Sequence, residues 1–202
     1  MKRSTPLFSI AGLAVVGLLG ARTLQEPKKA QEASKKPEMA MPAPPTAGPF
    51  HAHLKMDEGV WDAVVRMQMD PKAPPMESKA VETNKIACNG LWLLSDVKGE
   101  FMGGPFEGHA ITGYDPAKKK YVSVWVDSMG AYIATSEGEC DASGKVLTMT
   151  GEMPDPMMTG KMVKHRDVLE RKDADNRLFT SYMKGPDGKE VVSMTIIYKR
   201  KK

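Results

Sequence analysis

Residues 89–130 form the stretch that most constrains the fold, because short apolar runs there alternate with turn-forming residues. The stretch reads NGLWLLSDVKGEFMGGPFEGHAITGYDPAKKKYVSVWVDSMG. Two-residue alternation of apolar and polar side chains, punctuated by Gly, Pro and Asp, is typical of antiparallel strands joined by tight turns. The stretch therefore predicts three or four consecutive strands of an antiparallel meander.

The same pattern continues on both sides of this stretch. Strands are predicted near 60–69, 78–87, 91–98, 106–113, 120–127, 131–139, 145–152, 162–171, 177–184 and 190–199. About ten short strands joined mostly by tight loops predict an all-β fold, either an antiparallel up-and-down β-barrel or a sandwich. We favour the barrel, because no loop is long enough for Greek-key returns except 151–161. A short N-terminal helix is predicted within 49–58.

The N-terminal part of the chain differs in composition from the rest. A charged start is followed by an apolar run from Leu7 to Ala21, which at about 15 residues is shorter than the roughly 20 of a membrane span. We expect 1–21 to be a signal peptide or an N-terminal anchor, and the Pro/Ala/Lys-rich segment 22–48 to be a disordered linker. The barrel domain is predicted to occupy 49–202, and the protein to be exported to the periplasm or secreted.

The charge distribution argues against a nucleic-acid-binding domain. The chain holds 29 Lys and Arg and 25 Asp and Glu, of which seven basic and three acidic residues lie within 1–48. The remainder therefore carries 22 of each and has no net charge, so it lacks the positive field that nucleic acids require. The short basic run 199–202 is read as a solvated tail. We expect no nucleic-acid partner, and membrane contact only through the N-terminal segment if it is retained.

Five short motifs resemble those of a known bacterial family. They are Gly59-Val60-Trp61, GGPFEG at 103–108, GYD at 113–115, WVDSMG at 125–130 and DGKE at 187–190. Together they resemble the bacterial domain-of-unknown-function family 1579 over about 50–201. The resemblance implies a calycin-like barrel, of the lipocalin or fatty-acid-binding type, with a central cavity and no assigned activity. It also implies that Trp61 is a structural plug, since a Gly-x-Trp indole closes one barrel end in lipocalin-like proteins.

No catalytic motif occurs in the sequence. There is no GxSxG elbow, no P-loop, no GxGxxG after a strand and no HExxH, and GGPFEG is read as a hairpin turn. We therefore predict no enzyme, no catalytic residue and no cofactor. The only cysteines, Cys88 and Cys140, can form a disulfide in an exported chain if the strand ends beside them are neighbours, and two free thiols are the alternative.

The histidines and methionines do not predict a metal site. His51 and His53 have a metal-compatible spacing, but two ligands alone make a weak site. His165 or His109 could serve as an axial haem ligand if either faces inward, as a single His does in related haem-binding barrels. The 16 Met residues could bind Cu(I), yet outside 153–162 they form no repeated cluster, and an adaptable apolar lining is the favoured interpretation.

Strand parity nominates the side chains that would line a ligand cavity. Trp125 and Asp127 share one face of the strand near 120–127, whereas Val122, Val124 and Val126 share the other, and parity alone does not decide which face is inside. A buried Asp127 would need His165 or Arg166 as a partner. The candidate ligand-binding residues are Trp125, Asp127, Tyr132, His165, Phe106, Tyr182 and Met67.

These observations leave three functions open. We expect a small apolar or amphipathic ligand to bind in the barrel cavity, with the loop 151–161 and the helix within 49–58 as candidate gates. The alternatives are a metal- or haem-binding barrel that uses His and Met, and a filled barrel that acts as a structural or interaction module. A homodimer could form through an outer face that carries Val122, Val124 and Val126.

Overall fold

The computed structural model describes residues 41, 43–68, 73–155, 161–185 and 187–202. The predicted signal segment 1–21, most of the linker 22–48 and residues 156–160 of the long loop lie outside these residues, as do Met69, Met157 and Met158. The compact unit described below spans Ala43–Lys202.

The described chain forms one α-helix, one 3₁₀ turn and ten strands. In chain order these are α1 (Pro49–Lys55), β1 (Gly59–Met67), β2 (Met76–Ala87), the 3₁₀ turn Cys88–Gly90, β3 (Trp92–Phe101), β4 (Gly104–Asp115), β5 (Lys120–Asp127), β6 (Ala134–Cys140), β7 (Val146–Pro154), β8 (Met162–Arg171), β9 (Asn176–Lys184) and β10 (Glu190–Arg200). Within the described residues, no helix has the length and apolarity needed to cross a bilayer.

The ten strands form a closed antiparallel barrel in which each strand pairs with its neighbours in sequence. Pairing of β1 with β10 closes the sheet, from Trp61 opposite Arg200 to Met67 opposite Met194. Closure leaves no unpaired strand edge. The prediction of an all-β, up-and-down antiparallel barrel of about ten strands with a short N-terminal helix is confirmed.

The barrel has two different ends, which we call the floor and the mouth. The floor is the end where β1 begins and α1 packs, and its connections are 88–91, 116–119, 141–145 and 172–175. The mouth is the opposite end, and its connections are 68–75, 102–103, 128–133, 155–161 and 185–189.

Helix α1 seals the floor. Leu54 is only 1% exposed and packs in an apolar cluster with Leu93, Tyr121, Leu147 and Met149. The Phe50 ring stacks on Tyr114 with 4.1 Å between the ring centroids, and the Tyr121 hydroxyl donates a hydrogen bond of 2.8 Å to the Phe50 carbonyl. The sequence predicts this helix as one of two gates, whereas its contacts make it part of the wall that closes one end.

The register between strands decides which side chains face the lumen. Trp61 lies opposite Glu82, and Ala63 lies opposite Ala80, and both pairs point inward. Following the strand pairings from β2 through β3 and β4 to β5 places Trp125 and Asp127 inside the barrel. The valines that alternate with them face outward, and Val124 and Val126 are 38% and 37% exposed.

β5 and β8 have the predicted boundaries, and the other eight strands differ from the prediction by one to three residues at one end or both. β1 ends at Met67, and β6 begins at Ala134 rather than near 131. Before β6 the Tyr132 ring lies over Gly130 so closely that a Cβ on that glycine would lie 2.1 Å from it. Pairing with β5 begins at Ala134, opposite Trp125.

The two cysteines are free thiols, which is the second of the two alternatives that the sequence leaves open for Cys88 and Cys140. Cys88 is exposed in the 3₁₀ turn after β2, and Cys140 is half-buried at the end of β6. Both lie at the floor, but β3, β4 and β5 separate their strands around the barrel. The strand ends beside them are therefore not the neighbours that a disulfide requires.

Candidate ligand-binding lumen

A network of buried charges holds the floor together. Arg171 binds Asp57 through two guanidinium nitrogens at 3.1 Å and 2.5 Å, and Arg177 binds Glu82 at 2.6 Å and Asp57 at 3.3 Å. Asn84 donates to both Glu82 and the Asp57 carbonyl. Two positive and two negative groups balance here, which satisfies the requirement that buried charges be paired.

Trp61 lies in the centre of this floor. It is 1% exposed, and its indole Nε1 donates a hydrogen bond of 2.9 Å to the Asp57 carbonyl. The guanidinium groups of Arg177 and Arg200 lie 4.2 Å and 4.0 Å from its ring. Trp61 therefore fills the closed end of the barrel and does not line the open part of the lumen.

An aromatic wall lies on the mouth side of the lumen, made of Phe101, Phe106 and Trp125. The Phe106 and Trp125 rings are stacked at 6.4 Å, and Phe101 meets Phe106 edge-on at 6.3 Å. Gly108 permits this arrangement, because a Cβ at that position would lie 2.4 Å from the Trp125 ring. The indole can therefore lie flat against β4.

Asp127 orients the wall from the mouth end of β5. One carboxylate oxygen accepts a hydrogen bond of 2.7 Å from Trp125 Nε1, and the other accepts one of 2.9 Å from the Met129 amide. Asp127 thus has its partners on its own strand and turn, and neither His165 nor Arg166 serves in that role. Tyr132 lies nearby, and its burial together with the negative charge of Asp127 raises the pKa of its hydroxyl.

A second polar group, His165 and Asp167, lies in the middle of β8. Both side chains face the lumen, with His165 Nε2 3.4 Å from Asp167 Oδ2, and His165 is 8% exposed. Burial raises the pKa of the Asp167 carboxyl, and His165 and a hydrogen bond from Ser181 only partly offset this. Among the described residues, His165 Nδ1 and Asp167 Oδ1 are buried without a hydrogen-bond partner.

Burial changes along the lumen from the floor to the mouth. Inward side chains at the floor are buried, as with Trp61 at 1%, Tyr121 at 2% and Arg177 at 4%. Inward side chains near the mouth are only half-buried, among them Val65, Met67, Phe101, Phe106, Trp125, Met153 and Val163. A pocket of about 310 Å³ opens there, lined in part by Val65, Met67, Met76 and Phe101.

Two of the polar residues singled out from the sequence lie outside the lumen. Tyr182 is on the outer face of β9, where the Arg166 guanidinium stacks on its ring at 4.0 Å and binds Glu190 at 2.8 Å. The prediction that Tyr182 lines the cavity is therefore corrected, because it pairs with Arg166 across β8 and β9 and both side chains point outward. His109 is also outside, with its Nδ1 2.6 Å from Asp96.

The remaining candidates divide between the mouth and the middle of the lumen. Met67, Phe106, Trp125 and Asp127 lie on the mouth side, Tyr132 lies in the connection above them, and His165 lies deeper on β8. The sequence did not single out Asp167 and Ser181 as lumen residues, although the two-residue period on β8 places Asp167 on the face of His165. The pairing of Ser181 with Asp167 depends on the register of β9, which no local pattern specifies.

The described residues contain no group of three or more His, Cys, Asp or Glu side chains arranged to hold a metal ion. His51 and His53 are on α1, where His53 Nδ1 lies 2.8 Å from the Tyr121 hydroxyl and the His51 ring accepts a hydrogen bond from the Gly48 amide. Their contacts serve the attachment of the helix.

The chain matches one protein family and is similar to several solved structures. A family model described as "Protein of unknown function (DUF1579)" matches residues 46–200. No curated protein matches the chain. Among solved structures, the chain is similar to Rv2717c from M. tuberculosis, at 12% identity and a TM-score of 0.55, over 77% of this chain and 99% of that one.

Two further structures show weaker likeness. The phycobiliprotein lyase CPES from Guillardia theta has 10% identity and a TM-score of 0.49 over 75% of this chain and 92% of that one. A redesigned beta barrel has 12% identity and a TM-score of 0.40 over 74% of this chain and 96% of that one. The likeness to Rv2717c, at 12% identity, bears on the fold alone.

Proposed function

This chain belongs to the DUF1579 family, whose description assigns no activity, and from the geometry of its lumen we propose that it binds a small amphipathic molecule there. The ligand enters at the mouth and lies against the aromatic wall. Its polar end reaches the pair formed by His165 and Asp167.

The observation that carries this proposal is the gradient of burial along the lumen. The floor is filled by Trp61, Leu54 and the charge network, while inward side chains near the mouth retain exposure. Large apolar side chains that face an open interior are the usual lining of a small-molecule site. A barrel filled along its whole length, the structural-module alternative, would bury these side chains as thoroughly as Trp61.

The expected driving force is removal of apolar surface from water. An apolar chain or ring placed against Phe106 and Trp125 loses contact with water on both surfaces, at about 25 cal/mol per Å² buried. Orientation comes from the unpartnered atoms, His165 Nδ1 and Asp167 Oδ1. A ligand group that hydrogen-bonds to this pair removes the penalty for leaving buried polar atoms unsatisfied.

Export is part of this proposal and rests on the sequence. The charged start and the apolar run from Leu7 to Ala21 have the form of a signal peptide. A barrel that holds an amphipathic molecule outside the cytoplasm would act as a carrier or scavenger. Detection of the mature chain in the periplasmic or secreted fraction of its host is the direct test of this part.

The lumen proposal is tested by native mass spectrometry of the protein purified gently from its own host, followed by denaturing release. We expect a discrete additional mass that disappears on denaturation. Ala110 is half-buried and faces the lumen between Ser95 and Trp125, so Ala110→Trp should fill the cavity and remove this mass. Ile111→Trp, on the outer face one residue away, should retain it. A bound mass that persists in Ala110→Trp would contradict the proposal.

A second candidate rests on the inward orientation of His165. Among the four histidines, His165 is the buried one that faces the lumen, and His109 does not. A single inward histidine is the minimum that a haem ligand requires. An absorption spectrum separates the two functions, because a Soret band in the purified protein that is lost in His165→Leu would assign the lumen to haem. Its absence would leave the amphipathic ligand as the occupant.

A further inference from the structure

Large apolar side chains are exposed around the mouth. We call this set the apolar rim, and it consists of Met76, Met102, Met129, Ile133, Met162 and Val191. Their exposed fractions run from 40% for Met76 to 68% for Met102. Each of the five mouth connections has at least one of these side chains in it or within two residues of it.

The floor has a different surface. Its connections are built from residues such as Asp141, Ser143, Lys172 and Asp173. Among the described residues, the large apolar side chains exposed at that end are Phe50 and Met56, both from α1 and the turn after it. Of the two ends, the one through which the lumen opens therefore carries more exposed large apolar side chains. Several exposed large apolar side chains at one end of a domain indicate contact with a protein or a membrane.

The arrangement of the rim suits a flat partner. Its side chains come from the mouth connections and from the strand ends next to them, so they are distributed around the mouth. Four of the six are Met, whose unbranched side chain adapts to irregular or fluid surroundings. A ring of flexible apolar side chains matches the boundary between lipid head groups and acyl chains, where amphipathic elements insert to a shallow depth.

Charges close to the rim are of both signs, and some of them are paired with one another. Arg66 binds Glu77 at 3.0 Å beside Met76, and Arg166 binds Glu190 at 2.8 Å beside Val191. The rim is thus not backed by the excess of Lys and Arg that attraction to anionic lipids requires. Membrane binding would therefore be driven by insertion of apolar side chains, which does not require anionic lipid.

We infer that the mouth docks on the surface of a neutral phospholipid bilayer through the apolar rim. The inference takes from the proposed function that an amphipathic ligand passes through this mouth, since α1 and the charge network close the other end. Docking places the aromatic wall next to the acyl chains. The ligand can then move between bilayer and lumen without its apolar part crossing water, which is the costly step in transfer between the two.

The test uses an environment-sensitive fluorophore attached at one rim position in the full chain. Ile133→Cys, in a background of Cys88→Ser and Cys140→Ala, carries the label at a residue that is 64% exposed. Ile197→Cys carries it at an outer-wall residue of β10 that is 44% exposed and serves as the matched control. Phosphatidylcholine vesicles are then added, with and without anionic lipid.

We expect emission at position 133 to shift to shorter wavelength on vesicle addition, and emission at position 197 to stay unchanged. The shift should be similar with and without anionic lipid and should persist at high salt. In a chain labelled through Met162→Cys, adding Ile133→Ser should weaken the lipid titration by about fivefold, from the loss of one partly inserted side chain. Adding Ile197→Ser should leave it unchanged.

Three results would overturn the inference. They are no shift at position 133, an equal shift at position 197, and a shift at 133 that grows with protein concentration before vesicles are added. The last would assign the rim to contact between two copies of the chain. Ligand binding by the lumen is measured without vesicles, so failure of docking and failure of the proposed function are separate outcomes.

Discussion

The guanidinium carbon of Arg177 lies 4.2 Å from the centre of the Trp61 ring, and these side chains are 4% and 1% exposed. The same guanidinium binds Glu82 and Asp57, so one arginine joins the first strand, the second strand and the turn after α1. This contact helps to hold the floor together.

Replacing Arg177 with Met should destabilise the barrel strongly, because Glu82 and Asp57 would share only Arg171 as a buried counter-charge. We expect a loss of about 3–5 kcal/mol in the free energy of unfolding, measured by urea denaturation. Arg66→Met is the matched control, since the Arg66–Glu77 pair is about half exposed on each side and should contribute less than about 1 kcal/mol. Equal losses in the two variants would contradict a structural role for the floor network.

Gly108→Ala should disturb the aromatic wall. Its Cβ would lie 2.4 Å from the Trp125 ring, so the indole must move and its hydrogen bond to Asp127 must change. We expect a loss of about 1–3 kcal/mol and an altered near-ultraviolet circular dichroism spectrum. Gly104→Ala, where the nearest atom would be 3.8 Å away, should leave both unchanged. A native spectrum in Gly108→Ala would show that the indole does not lie against β4.

Asp167→Asn should change how stability depends on pH. Burial raises the pKa of Asp167 above its ordinary value of 3.8, so the folded protein favours the protonated acid. The stabilisation from this group is complete below the unfolded pKa and is lost as pH rises through the folded pKa. The neutral Asn should therefore gain stability relative to the wild type as pH increases above 3.8.

Urea denaturation of both proteins across this pH range measures the difference. Glu190→Gln supplies a control of opposite sign, because hydrogen bonds from Arg166 lower the pKa of Glu190. That variant should lose stability relative to the wild type as pH rises. If the stability of Asp167→Asn relative to the wild type stayed constant or fell as pH rose, the wild-type Asp167 carboxyl would not be in the buried environment described.

The two cysteines should react with thiol reagents at different rates. Cys88 is exposed and should react quickly in the native protein. Cys140 is half-buried, and burial raises the pKa of its thiol despite the nearby Arg171, so little of the reactive thiolate is present. In Cys88→Ser, only the slow reaction of Cys140 with the thiol reagent should remain. A native protein without titratable thiols would mean that the cysteines are bridged.

Most of the architecture could be predicted from the sequence because the side-chain period of a strand is local. Turn residues such as Asp115-Pro116 and the alternation in β5 predict strand and loop positions closely, and the closed barrel follows from short loops. Local pattern could not decide which face of β5 is inside, since Val124 and Trp125 are both suitable for a core. Pairing with β4 decides it, and that register depends on the whole sheet.

The site was less predictable than the fold, for a related reason. Buried charges look like surface residues in a sequence, so Arg171 and Arg177 gave no signal until the floor brought them to Asp57 and Glu82. Tyr182 is aromatic, as a lining residue would be, but its position on β9 points it to the outside of the barrel. The sequence left the state of Cys88 and Cys140 open because it places both at strand ends without showing that three strands lie between them.

The most direct test of the lumen proposal is an equilibrium titration of the purified protein with a neutral naphthylamine fluorophore, followed by displacement with decanol. We predict saturable one-to-one binding, and a decanol affinity about fivefold lower in His165→Leu, from the loss of about one hydrogen bond. His109→Leu, on the exposed outer face, should match the wild type. No saturable binding, or equal decanol affinity in His165→Leu and His109→Leu, would contradict a lumen that binds amphipathic molecules by their polar end.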